Sequence, residues 1–243
     1  MPPSSLHSRT EVFDNAHEMA RNAAEWFTRT VNAVSGSVRV ALSGGSTPKE
    51  LYTLLGQEPY LGRIPWQRLE LFWGDERCVS PDDPVSNYGM VRDTLLSRAP
   101  IAGNHVHPVP TDGTPADAAE RYETQLKRIY GADKLDPARP LFEIVFLGLG
   151  SDGHTASLLP GQPVLDEREH WVAAVTEGRS EPRITLTYPA IESSNTIAFL
   201  VTGADKASAV SATRKGDQNL PAARINPRGE ILWFLDRAAS AGG

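Results

Sequence analysis

The chain has 243 residues, of which 40% are hydrophobic and 22% charged, and this composition is typical of a globular protein and excludes fibrous and disordered classes. Its formal net charge of -6 at pH 7 disfavours a nucleic-acid or anionic-membrane binder, since both partners need a basic surface, but a small anion can still be held by a few local cations. The single cysteine, Cys78, excludes a disulfide framework and a multi-cysteine metal site, and it fits a reducing compartment.

The sequence carries no export or membrane signal that we can recognise. Residues 1–9 contain proline, serine and histidine rather than a basic stretch followed by an apolar run. No apolar segment approaches the roughly 20 residues that a membrane-spanning helix needs. We therefore expect a cytoplasmic protein.

The first predicted elements are a helix, a strand and a second helix. Apolar residues at three- and four-residue spacing predict a helix over 13–31, and the strand Val38–Leu42 follows it. In the next helix we expect Thr47 to be the N-cap, Pro48 to take the first helical position and Glu50 to complete a capping box.

The rest of the chain continues this alternation. Strands are predicted at Leu69–Trp73, Phe142–Leu147, 171–175, 184–186, 197–201 and 231–235, and helices at 86–97, 116–130, 154–159 and 205–212. Strands that alternate with helices predict one α/β domain with a mainly parallel sheet. In such sheets ligands bind outside the carboxyl ends of the strands, so the residues that follow each strand are candidate site residues.

The segment after the first predicted strand has the composition of a phosphate site. Its residues are Ser43, Gly44, Gly45, Ser46 and Thr47. The glycines allow a ligand to approach the backbone, the hydroxyls can donate hydrogen bonds, and the next helix points its N-terminal N–H groups to the same place. The Gly-Lys-Ser spacing of a nucleoside triphosphate loop is missing, which favours a phosphate monoester; a simple strand-to-helix turn is the alternative.

Charged residues follow the next predicted strand. Asp75, Glu76 and Arg77 stand directly after Gly74. Either carboxylate could act as a base, and the guanidinium can hold a carboxylate or bind an oxyanion through two hydrogen bonds. The alternative is a solvated turn with a surface ion pair.

A third glycine-rich segment follows the strand Phe142–Leu147. Gly148, Gly150 and Gly153 match the dinucleotide-binding fingerprint, but the helix predicted after them is too short for that fold. We therefore interpret the glycines as shaping a loop that presents Asp152 and His154. An imidazole can take up and return a proton near neutral pH, so His154 is the candidate general base; a histidine that only bonds locally is the alternative.

Two cations stand near the remaining strands. Arg183 precedes the predicted strand 184–186, and Lys206 follows the strand 197–201. A charge-assisted hydrogen bond contributes roughly 1.5 to 3 kcal/mol, so these side chains and backbone donors suffice to select a phosphorylated ligand.

Arg179 cannot be placed from the sequence. His105 and His107 have no carboxylate near them in the sequence, so we expect no metal there.

Six motifs occur in a fixed order along the chain: LSGGSTP at 42–48, GDER at 74–77, SNY at 86–88, GLGSDGHTASLLPG at 148–161, RITL at 183–186 and LPAAR at 220–224. In this order the chain resembles the 6-phosphogluconolactonase family from about residue 13 to residue 236. Glucosamine-6-phosphate deaminases are similar in the glycine loop and the Asp-Gly-His element. They carry a tyrosine where this chain has Arg77, and their sequence after the histidine runs toward Asn-Glu-Pro, so the lactonases are favoured.

The resemblance implies a fold and an activity. The fold would be Rossmann-like and similar to glucosamine-6-phosphate isomerase: a single domain over 1–243 whose sheet has helices on both faces. The activity would be hydrolysis of 6-phospho-D-glucono-1,5-lactone in the oxidative pentose phosphate pathway, with no cofactor and no metal. A deaminase or a non-enzymatic sugar-phosphate sensor are the alternatives. The expected partner is a small phosphorylated lactone, not nucleic acid or a membrane, and a monomer is expected.

The resemblance also implies roles for individual residues. His154 would be the general base, with Asp75 and Arg77 at the reacting end. The substrate would be bound by Ser43, Gly44, Gly45, Ser46, Thr47, Asn87, Asp152, Gly153, Arg183 and Lys206. Which of Asp75, Glu76 and Asp152 orients His154 or Arg77 stays open.

Overall fold

A seven-stranded sheet, whose strand pairings are all parallel, forms the centre of the fold in the computed structural model, which describes residues 8–242. In chain order the elements are β1 (Ser8–Phe13), α1 (Ala16–Ala33), β2 (Val38–Leu42), α2 (Ser46–Leu55), β3 (Leu69–Trp73), β4 (Asp75–Arg77), α3 (Asn87–Val91), β5 (Val106–His107), α4 (Pro115–Tyr130), β6 (Phe142–Leu147), β7 (Val172–Val175), β8 (Arg183–Leu186), α5 (Tyr188–Glu192), β9 (Ser194–Val201), α6 (Ala207–Arg214), β10 (Glu230–Asp236) and α7 (Arg237–Ser240).

The strand order creates a switch point in the middle of the sheet. Its order is β1, β10, β9, β6, β2, β3, β5. From β2 the chain adds β3 and β5 on one side, and it then returns to add β6, β9 and β10 on the other. Ligands of open α/β sheets bind in the crevice at such a reversal, so this topology predicts a site between the segments that follow β2 and β6.

A small antiparallel sheet of β4, β8 and β7 adjoins the carboxyl end of β3. Gly74 joins the two sheets: its N–H donates to the Leu42 carbonyl at 2.8 Å, and its carbonyl accepts from the Leu186 N–H at 2.8 Å. The pairing of β4 with β8 places Arg77 opposite Arg183. Two arginines that are 106 positions apart in the sequence numbering are thereby fixed as neighbours.

Aromatic side chains fix the helices on the sheet. Trp26 and Phe27 of α1 and Tyr52 of α2 surround Phe146 of β6, with ring centroids 5.8 to 6.5 Å from it. Burying each such ring contributes about 1.5 to 3 kcal/mol. On α4, the Tyr122 hydroxyl accepts from the N–H of Trp73 at 2.9 Å and donates to its carbonyl at 3.0 Å, which holds the end of β3.

The structure confirms the predicted fold class, an α/β domain with a mainly parallel sheet and flanking helices. The strands Val38–Leu42, Leu69–Trp73 and Phe142–Leu147 have the predicted bounds. The bounds of the domain, 1–243, stay a prediction. Most of the segment 1–9, where the sequence shows no export signal, lies outside the described residues. No helix among residues 8–242 combines the length and hydropathy that crossing a bilayer requires.

The capping predicted for α2 and the helix predicted over 154–159 are wrong. Thr47 does not cap α2 and Pro48 does not take its first position: the helix already begins at Ser46 after Gly45, and the Thr47 hydroxyl lies 2.9 Å from that of Thr202. Glu50 completes no capping box and contacts His17 instead at 2.9 Å. Residues 154–159 form turns rather than a helix, because Ala156 has a φ of 48°, outside the helical range.

Candidate active site

A cleft of about 240 Å³ opens at the carboxyl ends of β9, β6, β2 and β3, where the switch point predicts a site. All four predicted strand-end segments contribute to it. The lining includes the predicted residues Ser43, Gly44, Gly45, Ser46, Thr47, Asp75, Arg77, Asn87, His154, Arg183 and Lys206. Asp152 and Gly153 do not line it; they belong to the turn that holds His154 from behind.

The N-terminus of α2 offers backbone donors to the cleft. Gly45 precedes the helix with a φ of 103°, and the first intrahelical hydrogen bond runs from the Lys49 N–H to the Gly45 carbonyl. In the described part of the chain, the N–H groups of Ser46 and Thr47 have no acceptor. These donors and the positive end of the helix dipole favour an anion.

Arg77 is held at the edge of the cleft by Asn87. One nitrogen of its guanidinium donates to the Asn87 Oδ1 at 2.7 Å and to the Val85 carbonyl at 2.6 Å. The Asn87 amide nitrogen in turn donates to the Asp75 carbonyl at 2.8 Å. Asn87 lies directly against Gly44, where a Cβ would stand 1.8 Å from Oδ1. Gly44 therefore makes room for the residue that positions Arg77.

The two carboxylates of the predicted Asp-Glu pair have different surroundings. Asp75 lines the cleft and accepts from the Ser157 hydroxyl at 2.7 Å. Glu76 is buried outside the lining and accepts from the backbone N–H groups of residues 77, 87 and 88 at 2.7 to 2.8 Å. Burial raises the pKa of Glu76, although these hydrogen bonds oppose the rise. Glu76 thus organises the segment around Asn87.

Arg77 and Arg183 place two positive charges on one wall of the cleft. They are cross-strand neighbours, and the Nε atom of each is buried without a hydrogen-bond partner among residues 8–242. Burial and then the charge of Arg77 lower the pKa of Arg183. Lys206 also lines the cleft, with its ammonium 3.2 Å from Asp205. An anion bound here would relieve the repulsion between the two guanidinium groups.

His154 faces the cleft with its ring fixed from behind. Its Nδ1 lies 2.5 Å from the Asp152 Oδ1, and a turn closed by the Gly150 N–H to the His154 carbonyl at 2.8 Å holds both residues. A carboxylate accepts only, so we assign the proton to Nδ1, which leaves a lone pair on Nε2 for the cleft. Of the three carboxylates that the sequence left open, Asp152 is the one that contacts His154.

Arg179 is a site residue that the sequence did not reveal. Its guanidinium donates to the Asp152 Oδ2 at 2.8 Å and lies 3.3 Å from the His154 Nδ1. Burial raises the pKa of the Asp152 carboxyl, but the hydrogen bonds from Arg179 and His154 outweigh burial and hold this pKa well below its ordinary value. Arg179 lies between β7 and β8 in a loop without periodicity, so no sequence signal pointed to it.

Of His105 and His107, only His107 lies in a strand, β5, and its surroundings differ from the prediction in one respect. His107 does have a neighbouring carboxylate, because Glu70 on the adjacent strand lies 3.2 Å from its Nε2, and Gln125 lies 3.1 Å from its Nδ1. Burial lowers the pKa of His107. Among residues 8–242, no three His, Cys, Asp or Glu side chains converge on one point that could hold a metal ion.

The chain is similar to known proteins over most of its length. Residues 14–233 match the family model described as glucosamine-6-phosphate isomerases/6-phosphogluconolactonase. A 6-phosphogluconolactonase of Nostoc sp. is 41% identical over 211 residues, which is 85% of each chain. The structure of a 6-phosphogluconolactonase from Trypanosoma cruzi superimposes with a TM-score of 0.85 at 29% identity, covering 99% of this chain and 98% of that one. A monomeric glucosamine-6-phosphate deaminase, 21% identical with a TM-score of 0.82, shares the fold.

Proposed function

The chain belongs to the family of glucosamine-6-phosphate isomerases and 6-phosphogluconolactonases, and from this premise we propose that it hydrolyses 6-phospho-D-glucono-1,5-lactone to 6-phospho-D-gluconate, a reaction of the oxidative pentose phosphate pathway. The relatives that match it over most of their length at 41% and 38% identity are named as lactonases. The site has the two parts that this substrate needs, an anion pocket and a base.

The anion pocket would anchor the phosphate. The free N–H groups of Ser46 and Thr47, the positive end of α2 and the Lys206 ammonium border one part of the cleft. A phosphate monoester can accept hydrogen bonds from all of them. Anchoring this end fixes the sugar so that the lactone carbonyl carbon comes within reach of His154.

His154 would act as general base and then as general acid. Its Nε2 takes a proton from a water molecule whose oxygen attacks the carbonyl carbon, and a tetrahedral oxyanion forms. When this intermediate collapses, the bond between the carbonyl carbon and the ring oxygen breaks, and the imidazolium returns its proton to that oxygen. The product is a carboxylic acid with a free hydroxyl, so atoms and protons balance without a covalent enzyme intermediate.

The guanidinium groups would stabilise the oxyanion of this intermediate. Arg77 and Arg183 line the same cleft as His154, so their positive charges lie beside a negative charge that develops there. Donors that are already fixed in a partly buried site stabilise charge without reorganisation. Asp75, which lies 4.0 Å from Arg183, would orient that guanidinium.

One observation carries the proposal. His154, whose Nδ1 is held by the Asp152 carboxylate, lines the same cleft as the cations and backbone N–H groups that can bind an anion. We propose further that the protein works as a monomer in the cytoplasm. The single cysteine, Cys78, is consistent with a reducing compartment.

The test is hydrolysis of freshly generated 6-phosphogluconolactone, followed as acid release above the spontaneous rate. The matched control is glucono-1,5-lactone, which has the same ring ester but no phosphate. We expect fast hydrolysis of the phosphorylated lactone and little acceleration with the control. Release of ammonia from glucosamine 6-phosphate, with no acceleration of either lactone, would overturn the proposal in favour of a deaminase.

A further inference from the structure

Arg179 lies next to the proposed base although the reaction gives it no role. It belongs to the exposed loop between β7 and β8, and its guanidinium donates to the Asp152 Oδ2 and lies 3.3 Å from the His154 Nδ1. It does not line the cleft. Because Arg179 lies on the side of His154 that faces Asp152 and not the cleft, its role is not contact with the substrate.

We propose that Arg179 is a positioning residue that fixes the Asp152 carboxylate and, through it, the orientation and tautomer of His154. The inference rests on the proposed function, since it assigns His154 as the base.

The first step concerns the freedom of Asp152. The backbone of its turn is fixed by hydrogen bonds from the Gly153 N–H to the Gly150 carbonyl and from the Gly150 N–H to the His154 carbonyl. The Asp152 side chain itself is 41% exposed, so its torsions are restrained mainly by what the carboxylate contacts. Oδ1 contacts His154, and Oδ2 contacts Arg179 at 2.8 Å. Arg179 thus supplies the second point that stops the carboxylate from rotating.

The second step concerns the proton on His154. A carboxylate that stays ionised accepts the Nδ1 proton and keeps the lone pair on Nε2. The Arg179 nitrogen that lies 3.3 Å from Nδ1 can only donate, so with the proton on Nδ1 its hydrogen bond goes to Asp152 at 2.8 Å and not to the ring. The hydrogen bond from Arg179 favours the ionised form of Asp152, in agreement with the lowered pKa of that carboxyl. If the carboxylate turned away, the ring could carry its proton on Nε2, and the atom that faces the cleft would no longer be a base.

The third step concerns how the loop holds Arg179. Gly178 precedes it with a φ of 85°, a conformation that favours glycine, and its carbonyl accepts from the Arg179 guanidinium at 3.0 Å. A Cβ on Gly178 would stand 3.0 Å from the Gln162 amide and 3.3 Å from Leu159, so the turn packs against the segment that follows His154. This packing fixes the loop in a position from which the Arg179 side chain reaches Asp152.

Kinetics separate this role from direct substrate binding. A residue that positions the base lowers kcat and leaves KM nearly unchanged, whereas a residue that binds the substrate mainly raises KM. Arg179→Met removes the donors but keeps much of the side-chain length, and Arg179→Lys keeps the charge and a donor. Arg121→Met is the matched control, because Arg121 also pairs with an aspartate, Asp112, at 3.0 Å on the surface outside the cleft.

We expect Arg179→Met to lower kcat roughly ten- to a hundredfold, which is part of the rate enhancement that a positioned general base supplies. KM should stay within about twofold of the parent value. Arg179→Lys should recover part of the loss, and Arg121→Met should match the parent. Unchanged kcat in Arg179→Met, or a raised KM at full kcat, would overturn the inference.

A second readout does not depend on activity. The ¹⁵N and ¹H signals of the His154 ring in the protein without substrate report which nitrogen carries the proton. We expect the Nδ1–H form in the parent and in Arg121→Met, and a mixture with the Nε2–H form in Arg179→Met. Identical ring signals in the parent and in Arg179→Met would overturn the inference. If the parent fails to hydrolyse the lactone, the proposed function fails, while the ring signals still decide whether Arg179 sets the tautomer.

Discussion

Two glycines decide where functional side chains can lie at the site. A Cβ on Gly150 would stand 2.0 Å from the His154 Nδ1, and one on Gly44 would stand 1.8 Å from the Asn87 Oδ1. Neither distance is sterically possible, so the ring and the amide occupy space that only glycine leaves open. In this chain the glycines after β2 and β6 shape the site through close contact as well as through the turns they form.

We expect Gly150→Ala to lower kcat roughly a hundredfold, because a displacement of about 1 Å at a reacting group has an effect of that size. Gly103→Ala is the control, since a Cβ there meets no atom within 4 Å. Steady-state kinetics with thermal unfolding of both variants provide the measurement. A Gly150→Ala protein with parental kcat would mean that the observed ring position is not needed for the reaction.

The pairs of the Asp152 carboxylate should stabilise the fold in weak acid as well as at neutral pH. The pKa of the Asp152 carboxyl is held below its ordinary value of 3.8, so this group stays ionised in weak acid. The stabilisation from its pairs is present above that value and is lost only as the pH falls through the lowered pKa. We therefore expect the cost of Asp152→Asn in free energy of unfolding, measured by urea denaturation, to be at least as large at about pH 5 as at about pH 7. A cost that disappears at about pH 5 would show that the carboxyl takes up its proton at or above its ordinary pKa.

At the scale of elements, the site depends on pairings between distant segments. The β4–β8 pairing brings Arg77 beside Arg183, and the Thr47 hydroxyl contacts Thr202 in the segment after β9. These contacts place donors from several strand ends around one cleft. The anion pocket is therefore a property of the sheet order and of the small sheet beside it.

Removing one of these cations should weaken the stabilisation of the oxyanion. We expect Arg183→Met to lower kcat/KM about ten- to a hundredfold, mainly through kcat, the equivalent of one charge-assisted hydrogen bond of about 1.5 to 3 kcal/mol. Arg214→Met, at the end of α6 and outside the lining of the cleft, is the control and should keep the parental kcat/KM. A kcat/KM for Arg183→Met that equals the control would remove Arg183 from the site.

The sequence predicts the elements whose signal is local. Strands such as Phe142–Leu147 are short apolar runs followed by glycine, and strand-end residues such as His154 follow from the rule for open α/β sheets. The strand Ser8–Phe13 was missed because it is a partly exposed edge strand with polar residues. The sequence predicts the wrong role for Thr47 and does not place Arg179, because their partners, Thr202 and Asp152, are remote in sequence and no periodicity reports such contacts.

At the scale of the whole molecule, the net charge and the proposed substrate have the same sign. The chain carries a formal charge of -6, and the substrate is a phosphate ester. Attraction must therefore come from the cations and helix end of the cleft, at distances where bulk salt screens less than it does on an open surface. The composition argues only against large polyanions, and the cleft explains how a small anion is accepted.

We expect KM to rise no more than about threefold between about 50 and about 300 mM sodium chloride, because the charges in contact with the phosphate are partly buried. Lys206→Ala should raise KM at every salt concentration. The opposite pattern, a KM that rises by more than about tenfold with salt and does not respond to Lys206→Ala, would place the attraction in the long-range field of the protein.

The most direct test is a crystal structure with the product 6-phosphogluconate bound. We predict the phosphate at the N-terminus of α2, within hydrogen-bond distance of the Ser46 and Thr47 N–H groups, and the C1 carboxylate carbon about 3 to 3.5 Å from the His154 Nε2. A product bound in the reverse direction, or a His154 ring whose Nε2 points away from C1, would contradict the assignment of His154 as the base.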